Sequence, residues 1–180
     1  MTIRHTRVGS APPSIARSLR MSVLAAGILA GVVLDVLLTE ASLGPSAELW
    51  ISYHQAIRMP YTVVVPPLGA LVIVGSLATL AGPQKVQVHW LAIIVAMSCL
   101  VVGMAITIGV HFPMNAMIDT WLPTTPPNEW EQVRRQWIIA HSARSVLAVA
   151  AFGLLVAAPR SRETPKSVLA PEGSRAVSRR

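Results

Sequence analysis

Four runs of about 20 apolar residues, the length that crosses a hydrocarbon core about 30 Å thick, stand out along the chain. They are Met21 to Leu38, Thr62 to Ala81, Trp90 to Val110 and Trp137 to Ala158. The middle two carry no charge, the first carries Asp35, and the fourth carries His141 and Arg144. Each backbone amide in lipid must be bonded within its own helix or a closed barrel, and unbroken runs without alternation exclude strands. The pattern therefore predicts an all-α fold, a four-helix transmembrane bundle over residues 19–160. The flanks, 1–18 and 161–180, are basic, rich in Ser, Pro and Gly, and aperiodic, which predicts disordered tails.

The polar intervals carry their own signals. After Gly44 and Pro45, apolar or aromatic residues recur at Leu49, Trp50, Tyr53, His54 and Ile57. That spacing predicts a short interfacial helix in the first outer loop, ended by Pro60. Pro113 biases Phe112 away from helical geometry, so a bend is expected there, with a second short helix starting at Pro113. Asn128 and Glu131 read as a capping box starting the last helix near Glu129. The short connection Gly82 to His89 makes helices two and three expected antiparallel neighbours.

Composition agrees: of 180 residues, 53% are hydrophobic and only 13% charged, against about 25% charged in average soluble domains. The net charge of +7 does not point to nucleic acid, because eleven of the 15 Lys and Arg fall before the first apolar run, after the last, or in the loop holding Lys85. Cytoplasmic segments collect such residues, so both termini are expected in the cytoplasm, in a cell membrane protein whose partner is the lipid bilayer. A cleaved signal peptide or a mitochondrial presequence is the rival reading of the Arg-rich start. The single cysteine, Cys99, excludes an intramolecular disulfide. Gly27 and Gly31 form a small-residue patch that suits close helix contact, within the chain or in a homo-oligomer.

Candidate chemistry concentrates on the last helix, where Trp130, Arg134, Trp137, His141 and Arg144 are spaced 4, 3, 4 and 3 apart and share one stripe. A charge at membrane depth costs at least ~2.5 to 3.5 kcal/mol, so Arg144 must face the bundle interior, with Asp35 as the expected ion-pair partner. His54, His111 and Asn115 belong to the same outer half. So do six of the seven Trp and Tyr residues, all but Trp90, although aromatic belts populate both interfaces. These features predict an outward-opening pocket lined by histidines and aromatic rings. Trp130 and Trp137 suit interface anchoring as well as substrate contact. His54, His111 and His141 are candidate ligands for a metal, zinc, copper or iron, although no i, i+4 pair occurs among them.

Together the segments WISYHQ (Trp50 to Gln55), Pro66-Pro67, HFPMNAMIDTW (His111 to Trp121) and WEQVRRQWIIAHSAR (Trp130 to Arg144) resemble the anthrone oxygenase-like family of small four-helix membrane proteins. The resemblance implies a membrane oxidoreductase, a monooxygenase that uses dioxygen to oxidise polyketide anthrones or another apolar aromatic small molecule without an organic cofactor. Such chemistry needs a base, for which His141 or else His111 is suited, and donors for an enolate oxygen, for which Arg144 and Asn115 are suited. Trp130, Trp137 and Tyr53 suit ring stacking, with His54 and Arg134 completing the substrate-binding set; copper or iron remains a possible helper. The alternative is a non-catalytic membrane subunit or small transporter, although no inverted repeat is evident.

Overall fold

The computed structural model describes residues 13–82 and 88–159. The chain folds into α1 (Pro13–Ser42), α2 (Ala47–Leu80), α3 (Trp90–Ile106), a π-helical turn (Thr107–His111), α4 (Phe112–Ile118) and α5 (Trp130–Ala157). Among the described residues there is no strand, only an isolated bridge between Val88 and Pro159. Because α3, the π turn and α4 run on without a break, four spans result: Arg17–Ser42, Ala47–Leu80, Trp90–Ile118 and Trp130–Ala157. The shortest, 26 residues, covers ~39 Å at 1.5 Å per residue. Leu24, Val63, Val101, Ile139 and Val146 are each exposed by 60% or more, a surface that suits acyl chains and not water. The protein is a multi-pass helical membrane protein.

α1 is the organising helix: it packs along both α2 and α5, while α5 also packs along α3, and α2 and α3 touch each other far less. The short connection between α2 and α3 thus makes them antiparallel neighbours but not main packing partners. The reason lies in where small residues sit. A Cβ on Gly75 would run into the Ser22 hydroxyl and the Ser18 carbonyl, and one on Gly27 would lie 3.1 Å from the Phe152 ring, so these glycines let α1 approach α2 and α5 closely. Gly31 has nothing near it. Ala25, Ala26, Val72, Ala96 and Ala151 fill the core at the chain-terminal end; Trp50, Ile51, Ile118, Val133 and Trp137 fill the opposite end, where α1 turns into α2.

Four local expectations need correction. Residues 13–18 belong to α1 and not to a tail, and Ser18 Oγ meets Thr79 Oγ1 at 2.9 Å; the rest of the expected tails, residues 1–12 and 160–180, lies outside the described residues. The interfacial helix is not separate: it forms the first turns of α2, which continues through Pro60, Pro66 and Pro67. Each proline leaves one i−4 carbonyl without its helical partner, but breaking the helix in lipid would free many more groups, so the helix persists. At Pro113 the expected short helix is present as α4, but the expected bend is not, since Phe112 keeps helical geometry. The π turn just before it, closed by Phe112 N–H to Thr107 O, takes up the proline ring and lets the span continue to Ile118. The expected capping box does not form: the N-cap is Glu129 without a side-chain bond, and the Trp130 amide is met by the Pro127 carbonyl at 3.2 Å.

Candidate functional site

A cavity of about 150 Å³ lies inside the end of the bundle near the α1–α2 turn, and all four spans line it. α1 contributes Val33, Val36 and Glu40; α2 contributes His54, Arg58 and Tyr61. Thr107, His111 and Asn115 come from the π turn and α4, and Trp137, His141 and Arg144 from α5. The wider π turn keeps Thr107, His111 and Asn115, four apart in sequence, on the cavity side. Such turns recur at functional sites.

One wall is a buried polar chain. The Trp50 indole N–H donates to Glu40 Oε2 at 2.7 Å, and Glu40 Oε1 lies 2.8 Å from His54 Nδ1. The Trp137 indole N–H donates to Asn115 Oδ1 at 2.9 Å, and His54 Nε2 lies 3.2 Å from that same oxygen. An indole N–H can only donate, so the Asn115 atom facing it is the oxygen, and His54 Nε2 must then carry a hydrogen. One further proton sits between His54 Nδ1 and Glu40 Oε1. Whichever atom holds it, the pair is net neutral, which suits a carboxyl with no exposed surface.

The second wall is built on α5. His141 Nε2–H donates to the Val33 carbonyl at 2.9 Å, and Ser145 Oγ donates to the same carbonyl at 3.3 Å. Arg144 Nη2 donates to His141 Nδ1 at 2.9 Å, and Arg144 Nη1 to Thr107 Oγ1 at 3.2 Å. A guanidinium cannot accept, so the Nδ1 lone pair of His141 is spoken for. Its ring stacks on Trp137 with centroids 4.5 Å apart and planes 17° from parallel. His111 is different: buried, edge-on to Trp137 and His141 at 5.3 and 5.5 Å, it approaches the Ile106 backbone, but among the described residues neither of its ring nitrogens makes a well-formed hydrogen bond, nor does Arg144 Nε.

The residues singled out from the sequence therefore divide. His54, His111, Asn115, Trp137, His141 and Arg144 line one cavity, whereas Tyr53, Trp130 and Arg134 do not. Trp130 packs against Trp50 with ring centroids 6.4 Å apart. Arg134 donates to the Glu40 and Gly44 carbonyls, closing the C-terminus of α1, where carbonyls lack helical partners and a cation is favoured. The Asp35–Arg144 pair does not form. Asp35 is exposed and accepts from Tyr61 Oη at 3.1 Å, and among the described residues no carboxylate pairs with Arg144. Nor do the three histidines make a metal centre: Trp137 contacts all three rings, and His54 and His141 have both nitrogens engaged. Among the described residues no group of three or more His, Cys, Asp or Glu could hold a metal ion.

Sequence reasoning missed Glu40, Arg58, Tyr61 and Thr107. The signal for Glu40 was present: Leu29, Val33, Val36 and Glu40 follow one another at 4, 3 and 4 residues, and all four are buried.

A family model described as anthrone oxygenase matches residues 53–154. No curated protein and no solved structure matches the chain. The matched segment spans more than half of the chain and includes every cavity residue contributed by α2, α3, α4 and α5, leaving only the α1 wall outside it. The protein belongs to the anthrone oxygenase family.

Proposed function

We propose that this protein is an oxygenase of the cell membrane, both termini in the cytoplasm, that ionises an apolar aromatic carbon acid of the anthrone type and delivers the carbanion to dioxygen. The observation that carries this reading is the pairing, in one apolar cavity, of an imidazole whose lone pair no donor claims and a guanidinium without a counter-carboxylate among the described residues. His111 is the base: it alone of the three histidines has an unused lone pair. His141, whose nitrogens are occupied by Val33 and Arg144, is a positioning residue that aims the guanidinium.

His111 removes a proton from the ring CH₂ of the bound anthrone, and the negative charge moves to the carbonyl oxygen. Arg144 and the amide NH₂ of Asn115 stabilise that oxyanion; Asn115 has its carbonyl oxygen held by Trp137 and His54, which leaves its donors for the ligand. The carbanion gives its electrons to dioxygen, forming a carbon–peroxide bond. Loss of the second proton and cleavage of the O–O bond leave the quinone carbonyl and one water. Anthrone plus O₂ thus gives anthraquinone plus H₂O, with no outside reductant. A positioned base contributes ~10²- to 10⁴-fold, and a preorganised oxyanion donor ~2.7 to 4 kcal/mol.

The test is oxygen uptake and quinone absorbance by the purified protein in lipid nanodiscs supplied with an anthrone. One O₂ consumed per quinone formed, above the spontaneous rate, is the expected result. Uptake no faster than in empty nanodiscs contradicts the reading.

A further inference from the structure

We infer that the cavity is loaded from the bilayer, through a side opening between α2 and α3, so that the substrate is a molecule dissolved among acyl chains and taken up in its neutral form. This rests on the cavity being the substrate site. Of the lining residues, four are exposed, Thr62 and Pro66 on α2 and Met104 and Phe112 on the third span. They belong to two spans that pack against each other far less than α1 packs against α2 or α5.

The side facing the α1–α2 turn is shut. Arg58 Nη2 pairs with Asp119 Oδ2 at 2.8 Å, and Gln55 Nε2 donates to the carbonyls of Ile118 and Trp121 at 2.9 and 3.0 Å. These contacts tie α2 to the end of the third span. Trp50, Ile51 and Ile118, none with exposed surface, fill the space behind them. Thr62 lies one turn from Arg58 and Pro66 two turns, ~6 and ~12 Å along α2 from the ion pair. At that level the neighbouring surface is apolar, with Val63, Val64, Val101 and Ile108 all exposed. The prolines add to the effect: the Thr62 and Val63 carbonyls, which would bond to residues 66 and 67, lose those partners.

Such a route matches the chemistry inside. A neutral carbon acid partitions into acyl chains, whereas its enolate does not, and the free base and unpaired guanidinium of the cavity lie past the opening. The charge then develops where it is stabilised and is quenched before the product leaves.

The test reads access and needs no turnover. In a Cys99→Ala background the full chain carries Val36→Cys, on the buried α1 wall, or in parallel Val32→Cys on the same wall, and is placed in nanodiscs. N-phenylmaleimide, which partitions into lipid, should label the thiol, and a quaternary-ammonium methanethiosulfonate confined to water should not. Met104→Trp at the opening should slow the maleimide about tenfold, Met104→Ala should speed it, and Arg58→Ala should leave it unchanged. Equal labelling by the charged reagent, labelling by neither reagent, or acceleration by Arg58→Ala with no effect at Met104 overturns the route. A protein that labels as expected yet does not oxidise an anthrone keeps the route and loses the oxygenase reading. One that oxidises the anthrone while Met104→Trp changes neither labelling nor kcat/KM loses the route alone.

Discussion

Replacing Glu40 separates the two ways its buried carboxyl could matter. Glu40→Ala removes the acceptor of the Trp50 indole N–H and the partner of His54 Nδ1, contacts of 2.7 and 2.8 Å at a site with no exposed surface. A buried donor left without a partner costs ~1 to 3 kcal/mol, so two cost ~2 to 6 kcal/mol, and the lost methylenes add to this. Glu40→Gln has a different outcome. Its carbonyl oxygen accepts from Trp50, its NH₂ donates to His54 Nδ1, and His54 becomes the Nε2–H tautomer that Asn115 Oδ1 already requires. Every bond survives because the Glu40–His54 pair carries no net charge. The expected cost is below ~1 kcal/mol, that of one ordinary hydrogen bond exchanged for another. Unfolding of the detergent-solubilised protein, followed by tryptophan fluorescence, measures both. Equal destabilisation by Gln and Ala would refute the neutral-pair argument, and a harmless Ala would refute the role of the carboxyl altogether.

Three further outcomes follow from the same geometry. Arg144→Met should lower kcat ~10²- to 10³-fold through loss of an oxyanion donor, with Arg144→Lys recovering only part because an ammonium lacks the fork that spans His141 and Thr107; steady-state quinone formation checks this. Arg134→Met should destabilise the bundle by ~1 to 3 kcal/mol, because the Glu40 and Gly44 carbonyls lose their donor, while KM and kcat of the residual folded protein stay unchanged. Asp35→Asn should alter neither the thermal midpoint nor turnover, since Asp35 is exposed and meets only Tyr61; a large loss would revive a partnership with Arg144.

Much of the fold is legible because lipid imposes so few solutions: a long apolar run must be a helix, and an Arg within one must turn inward. Arg144 could be assigned to the interior on cost alone. The boundaries were less legible because rules for prolines and helix ends reflect chains in water. Pro60 ends a helix where water can take up the freed carbonyl, but not where the alternative is bare backbone in lipid. Ending the first helix at Leu38, where apolar residues stop, hid Glu40 two residues on, although α1 continues to Ser42. The division of labour among the histidines had no sequence signal. It depends on the Val33 carbonyl, more than a hundred residues away, reaching His141, and on no donor among the described residues reaching His111.

The most direct measurement is hydrogen exchange at the substrate carbon without oxygen. An anthrone held anaerobically with the nanodisc-embedded protein in D₂O should gain deuterium at its ring CH₂ faster than in empty nanodiscs. His111→Gln should reduce that excess rate at least about a hundredfold, whereas His141→Gln, which leaves the base in place, should retain a larger share of it. Undiminished exchange in His111→Gln, with His141→Gln inert, would show that the base had been assigned to the wrong ring.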